Sequence, residues 1–281
     1  RALELGVRIG RFGDDDDAFL AKLNSNFSQL VYSTFLGGTS REKINCLALD
    51  SDGKPVVAGF TYSAQFPTSA GAFQTTFGGG VSDVFVTKFN SNASSIEFST
   101  FVGGGMSEEA SAIVLDASNN ILITGYTWST NYPVTANAFR TSTNGSCDAF
   151  LTKLSADGTS LLASSYLGGS GVDRGISIAL DARGNIICGG LTQSADIPTD
   201  ASSFYPAAFG DNDVFVARLN PTASQLIYST YFGSAGSDIL SFMEADTTNI
   251  VYFGGYTDAG TLPLSTGNSQ QYAGGGDGFL G

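Results

Sequence analysis

The sequence predicts an all-β fold, a β-propeller of four-stranded antiparallel blades, and three observations lead there. One short pattern recurs: DAFLAKL from Asp17, DVFVTKF from Asp83, DAFLTKL from Asp148, DVFVARL from Asp213 and a clipped DGFLG from Asp277, at steps of 66, 65, 65 and 64 residues. Three further blocks hold register with it in every full copy. Turn-forming sequences separate the blocks, and no stretch shows convincing helical periodicity.

The elements follow in order. In the first block Phe19, Ala21 and Leu23 point one way and Ala18, Leu20 and Lys22 the other, the two-residue period of a strand. The second block is YSTFLGG from Tyr32, FSTFVGG from Phe98, SSYLGG from Ser164 and YSTYFGS from Tyr228. The third ends at Asp50, Asp116, Asp181 and Asp246, and the fourth closes on a Gly-X-Thr, as in Gly59 to Thr61. DSDGK, DASNN, DARGN and DTTN lie between third and fourth blocks, where Asp, Asn and Gly tolerate tight turns. Each unit of about 65 residues therefore holds about four antiparallel strands, with four to five blades in the chain. Such a sheet has two apolar faces and hides both only by stacking on its neighbours. Phe19, Phe85, Phe150 and Phe215 suit the layer between blades, and Phe85 and Phe150 are expected to be buried there. Small residues such as Ala58, Gly59, Gly189 and Gly190 suit a narrow inner strand.

Composition excludes several function classes. Of 281 residues only 14% are charged, Gly numbers 36, and the formal net charge is -13. That balance argues against phosphate neutralisation and so against nucleic-acid binding. The 12% aromatic content argues against a disordered acidic tail. No apolar run approaches the ~18 residues of a membrane helix. Without histidine there is no Ser-His or Cys-His chemistry and no histidine metal site. Cys46, Cys147 and Cys188 are odd in number and widely spaced, which reads as free core thiols. The chain opens at Arg1 with no signal peptide, as an excerpt or a chain whose leader was removed would.

These blocks resemble the bacterial SBBP-type β-propeller repeat, whose units run GG-x-x-x-D, A-x-D-x-x-G-N-x-Y-V-x-G-x-T, F-P, D-A-F-V-A-K-L and Y-S-T-Y-L-G-G. From Gly103 the chain reads GGGMSEEASAIVLDASNNILITGYT, then NYP, AF, CDAFLTKL and SSYLGG. The likeness runs from Phe12 to Gly281. It implies a propeller in a secreted or surface protein of a bacterium or archaeon, and no specific activity.

The candidate site residues are acidic. Glu42, Glu108, Asp173 and Asp238 recur just before the third block, and in a propeller equivalent positions form a ring. They read either as a calcium site at a channel mouth or as caps on the turn leading into a strand. Asp14, Asp15, Asp16 and Asp17 form a run that reads as a calcium loop or a solvated one. Calcium is the only ion these oxygen donors suit; no other cofactor and no catalytic residue is expected. Asp17, Asp83, Asp148, Asp213 and Asp277 form one further column and Lys22, Lys88, Lys153 and Arg218 another, read as repeated Lys–carboxylate contacts. Asp50 to Gly53 mimics a calcium loop but lacks its later ligands, and reads as a turn. Trp128 is a weak sugar-binding candidate.

Residues 1–16 lie outside the repeat and 17–281 within it. Leu3, Leu5, Val7 and Ile9 share one side of an alternating strand with no place in the unit. That strand is expected to pair with a neighbouring subunit at its last unit. The competing expectations are pairing of the two ends within one chain, closing four blades, and truncation of a longer propeller. The functional expectation is a non-enzymatic extracellular structural protein forming a surface layer or filament with copies of itself. The alternative is a secreted adhesin or glycan-binding propeller.

Overall fold

The computed structural model describes residues 6–10, 16–199, 202–260, 262 and 276–280, the first of these segments by its backbone alone. Leu3, Leu5, Asp14, Asp15 and the side chains of Val7 and Ile9 lie outside the described residues. Every regular element among the described residues is a strand.

The strands make five sheets. The first has the order β1-β3-β2, from β1 (Gly6–Gly10), β2 (Ala18–Leu23) and β3 (Leu30–Gly37). The second is β4 (Glu42–Leu49), β5 (Pro55–Thr61), β6 (Asp83–Phe89) and β7 (Ile96–Val102), in that order. The third follows the same order with β8 (Glu108–Leu115), β9 (Ile121–Thr127), β10 (Asp148–Leu154) and β11 (Leu161–Leu167). So does the fourth, with β12 (Asp173–Leu180), β13 (Ile186–Thr192), β14 (Asp213–Leu219) and β15 (Leu226–Phe232). The fifth has three strands, β16 (Asp238–Ala245), β17 (Val251–Thr257) and β18 (Asp277–Leu280). Each sequence block is one strand, and a full sheet runs third, fourth, first, second block.

Two compact units divide the chain: Arg1–Ile121 with Ser129–Pro133 and Lys153–Leu161, and Leu122–Trp128 with Val134–Thr152 and Leu162–Gly281. In the first unit, Leu20 and Leu36 pack with Val57, Phe85, Phe89 and Phe101. In the second, Ala179, Ile187, Val214, Val216 and Phe232 pack with Leu240 and Met243. Phe85, Phe150 and Phe215 are fully buried, as expected. Phe19, their equivalent, is 67% exposed, because no second layer among the described residues lies over that face of the first sheet.

The third-block strands share a bulge, and the facing glycine explains the small residues read in the fourth block. Register slips between Ile44 and Cys46, Gly175 and Ser177, and Leu240 and Phe242. The bulge pushes a carbonyl onto the opposite strand. A Cβ on Gly59 would stand 1.8 Å from the Lys43 oxygen, and on Gly190 1.9 Å from that of Arg174. Only glycine fits there.

One expectation is corrected. Gly6–Gly10 pairs in parallel with β3 of its own chain, Gly6 opposite Ser33 and Gly10 opposite Gly37. The segment holding Val7 and Ile9 thus saturates the outer edge of its own first sheet, whose free N–H and C=O groups offer the nearest ladder. In the order β1-β3-β2 this segment is itself the outermost strand.

Candidate functional site

Two acidic columns that the sequence presents separately come together in pairs. Each first-block aspartate meets the third-block acid 25 residues on: Asp17 with Glu42, Asp83 with Glu108, Asp148 with Asp173, Asp213 with Asp238. A repeated backbone junction places them. The N–H of Glu42 donates to the Asp16 carbonyl at 2.8 Å, that of Glu108 to Ser82 at 2.9 Å, and those of Asp173 and Asp238 to Cys147 and Asn212 at 2.8 Å. Parallel bridges Ser82–Ser107, Cys147–Val172 and Asn212–Ser237 lie at the same junctions.

Apart from the half-buried Asp17, the paired acids are buried under a glycine. Glu42, Asp83, Glu108, Asp148, Asp173, Asp213 and Asp238 are all buried. A Cβ on Gly168 would lie 2.6 Å from Asp148 Oδ1 and 2.7 Å from Asp173 Oδ2. On Gly103 it would lie 2.4 Å from the Asp83 carboxyl carbon. The double glycine ending the second block is thus the lid of the pair, and a side chain there would fill the carboxyl space.

The third-block acids cap turns. Glu42 accepts from the Gly38 N–H at 2.9 Å and the Thr61 hydroxyl at 2.6 Å. Glu108 accepts from the Gly104 N–H at 2.9 Å. Asp173 accepts from the Gly169 N–H at 2.7 Å and the Ser194 hydroxyl at 2.8 Å, and Asp238 from the Ser234 N–H at 2.6 Å. First-block aspartates accept from the loop before them, Asp83 from Gly78 at 2.6 Å and Asp213 from Phe209 at 2.9 Å. The remaining oxygens Asp83 Oδ1, Asp148 Oδ1, Asp213 Oδ1 and Asp238 Oδ1 are buried without a hydrogen-bond partner.

Burial, with the neighbouring Glu108 charge adding to it, pushes the Asp83 carboxyl up to about 7. Burial and then Asp173 push Asp148 up to about 6. Burial first, with Asp238 adding, raises Asp213 as well. Two carboxylates at close range in a dry site resist double ionisation. The arrangement can therefore hold a proton at each pair. Among the described residues, no three Cys, Asp or Glu side chains gather into a group that could hold a metal ion. Asp16 sits at the surface, 3.7 Å from Arg41.

Three of the four residues of the basic column are structural, each facing the turn aspartate of its own sheet, while Lys22 is exposed and stands 6.0 Å from the Tyr32 ring. Lys88 Nζ lies 2.7 Å from Asp50, Lys153 Nζ 2.9 Å from Asp116, and Arg218 Nε 3.8 Å from Asp181. Burial alone would raise these aspartates. The Lys88 ammonium with the N–H groups of Lys54 and Asp52 instead holds Asp50 below the usual range, and Lys153 with the Asn120 and Ser118 donors brings Asp116 to about 2. Asp50 takes the N–H groups of Asp52 and Lys54 at 2.9 and 2.8 Å, so the calcium-like loop is a turn. All three cysteines are free, and burial pushes Cys147 and Cys188 up to about 12. Trp128 is half-buried.

Sequence reasoning missed the pairing itself. The constant offset of 25 residues was its signal, but nothing in one dimension says that the two columns meet. It also missed an apolar groove in the second unit lined by Ile187, Val216, Tyr228, Val251 and Phe253, beside the three-stranded fifth sheet.

No family model matches the chain, and no curated protein is similar to it. No helix among the described residues is long and apolar enough to cross a membrane.

Proposed function

We propose that this chain is a β-propeller-type repeat protein of the kind its blocks resemble, working outside the cell as a non-catalytic structural subunit that assembles with copies of itself. The observation that carries this reading is where the repeated charge goes. Lys88, Lys153 and Arg218 are bound to turn aspartates, and the paired acids cap buried junctions, so most of the charged groups that the repeats share are spent on internal scaffolding. A binding or catalytic array would turn such groups outward or into a cleft. Low charge, high glycine and the likeness to secreted repeats support the extracellular setting.

Negative-stain electron microscopy of the purified chain tests it. Ordered polymers or sheets are expected. Monodisperse particles at all concentrations would overturn the reading.

A further inference from the structure

The turn between the first and second blocks recurs four times in one conformation. Each holds a residue of positive φ: Phe27 at 58°, Ala93 at 50°, Gly158 at 69° and Ala223 at 50°. One position earlier a side-chain oxygen closes the turn. Asn26 Oδ1 accepts from the Ser28 N–H at 3.2 Å and its hydroxyl at 2.6 Å, and Asn92 Oδ1 does the same with Ser94 at 3.2 and 2.6 Å. Asp157 Oδ1 accepts from the Thr159 N–H at 3.1 Å and its hydroxyl at 2.9 Å, and the Thr222 hydroxyl meets that of Ser224 at 2.9 Å. Asparagine, aspartate and threonine all serve, so the turn needs only the oxygen.

Asparagine adds a nitrogen that the turn does not use. Asn26 and Asn92 are exposed, and the Nδ2 of neither is hydrogen-bonded to a described residue. Each opens an Asn-x-Ser triplet, Asn26-Phe27-Ser28 and Asn92-Ala93-Ser94, the acceptor sequence of asparagine-linked glycosylation. A third triplet, Asn144-Gly145-Ser146, differs, because there Asn144 Nδ2 donates to Asp196 at 3.2 Å. The two turns without a triplet are also the two that a long loop covers. The Phe73 N–H donates to the Gly158 carbonyl at 2.9 Å and the Phe139 N–H to that of Ala223 at 2.8 Å, whereas no described backbone N–H is bonded to the carbonyl of Phe27 or Ala93. Bulk added to the third or fourth turn would crowd that loop.

We propose that Asn26 and Asn92 are acceptor sites for an asparagine-linked glycan, and that Asn144 is held out of use by Asp196. The inference rests on the extracellular part of the reading above and adds to it two modified positions. The co-substrate is a phosphate-activated sugar. The asparagine Nδ2 forms a bond to the anomeric carbon, the bond from that carbon to the donor's phosphate oxygen breaks, and the phosphate leaves with the electron pair. Nδ2 gives up one proton to a base of the transferase.

The folded full chain, incubated with UDP-glucose and a soluble asparagine glycosyltransferase that recognises Asn-x-Ser, gives the first test. Intact mass and peptide mapping are expected to show sugar on Asn26 and Asn92 and none on Asn144. Bare Asn26 and Asn92, or Asn144 modified at an equal rate, would overturn the assignment. Asn26→Asp and Asn92→Asp keep the turn oxygen, as Asp157 does, so each is expected to melt like the wild type and to lose one sugar. A variant that keeps both sugars overturns it as well. Protein recovered from the medium or cell surface of its natural source is then mapped in the same way, with sugar expected on both asparagines. Bare asparagines in that material overturn the sites and leave the extracellular reading standing. A chain confined to the cell interior with both asparagines bare removes the reading and the sites together.

Discussion

Phe19 and Phe85 occupy the same position of the same repeat, yet one is two-thirds exposed and the other is sealed. Their strands are alike in pattern and each pairs its phenylalanine with an aromatic across the ladder, Phe35 and Phe101. What differs is the layer above. Leu20 and Leu36 cover the second sheet, and nothing among the described residues does the same for the first. The lesson is that a repeat specifies a face, and a neighbour specifies whether that face is core.

The sharpest way to break the comparison is to truncate both rings. Phe85→Ala is expected to cost about 3–5 kcal/mol, through lost burial and the cavity left behind. Phe19→Ala should change the stability of dilute monomer by less than ~0.5 kcal/mol. Urea denaturation of both variants gives the answer, and similar losses would mean that the two faces are equally covered.

The basic column offers the same contrast at smaller amplitude. Lys88→Met leaves the buried Asp50 without its counter-charge and is expected to cost roughly 3 kcal/mol. Lys22, whose ammonium stands 6.0 Å from the Tyr32 ring, has an exposed side chain in the first sheet. Lys22→Met should therefore cost no more than about 0.5 kcal/mol. Equal costs would show that the first sheet is as tightly built as the second.

A smaller effect separates the two kinds of buried acid. Asp50 is held below its ordinary range, so its share of stability is present above the unfolded value and fades as pH falls. Asp83 is the reverse. Its folded value near 7 lies above the unfolded 3.8, so its share is complete below 3.8 and is lost as pH rises through about 7. Raising pH from 5 to 8 should therefore cost this pair on the order of 2 kcal/mol. Asp83→Asn should flatten that part of the profile while leaving the acid limb set by Asp50 in place. A wild-type melting temperature that climbs steadily from pH 5 to 8 would refute the carboxyl-pair account.

Much of the fold was legible because local chemistry wrote it four times. The strands are copies of the blocks, the turns fall at Asp-Asn-Gly clusters, and the basic column found carboxylates at Lys88, Lys153 and Arg218. The carboxyl pairs were legible only as two columns. Asp83 and Glu108 lie in different sheets, and the bond from Glu108 to Ser82 that joins them is a long-range contact with no local pattern.

By itself, then, the sequence determined the strand blocks, their register in the repeat and the alternation that gives each sheet two apolar faces, since these follow from backbone geometry and side-chain period. Only the tertiary structure decided which faces are covered, which acids share a site and where Gly6–Gly10 pairs. Those outcomes depend on which surfaces meet, and burial is a property of two surfaces: the same phenylalanine is core at Phe85 and surface at Phe19 because, among the described residues, only one of them has a sheet above it.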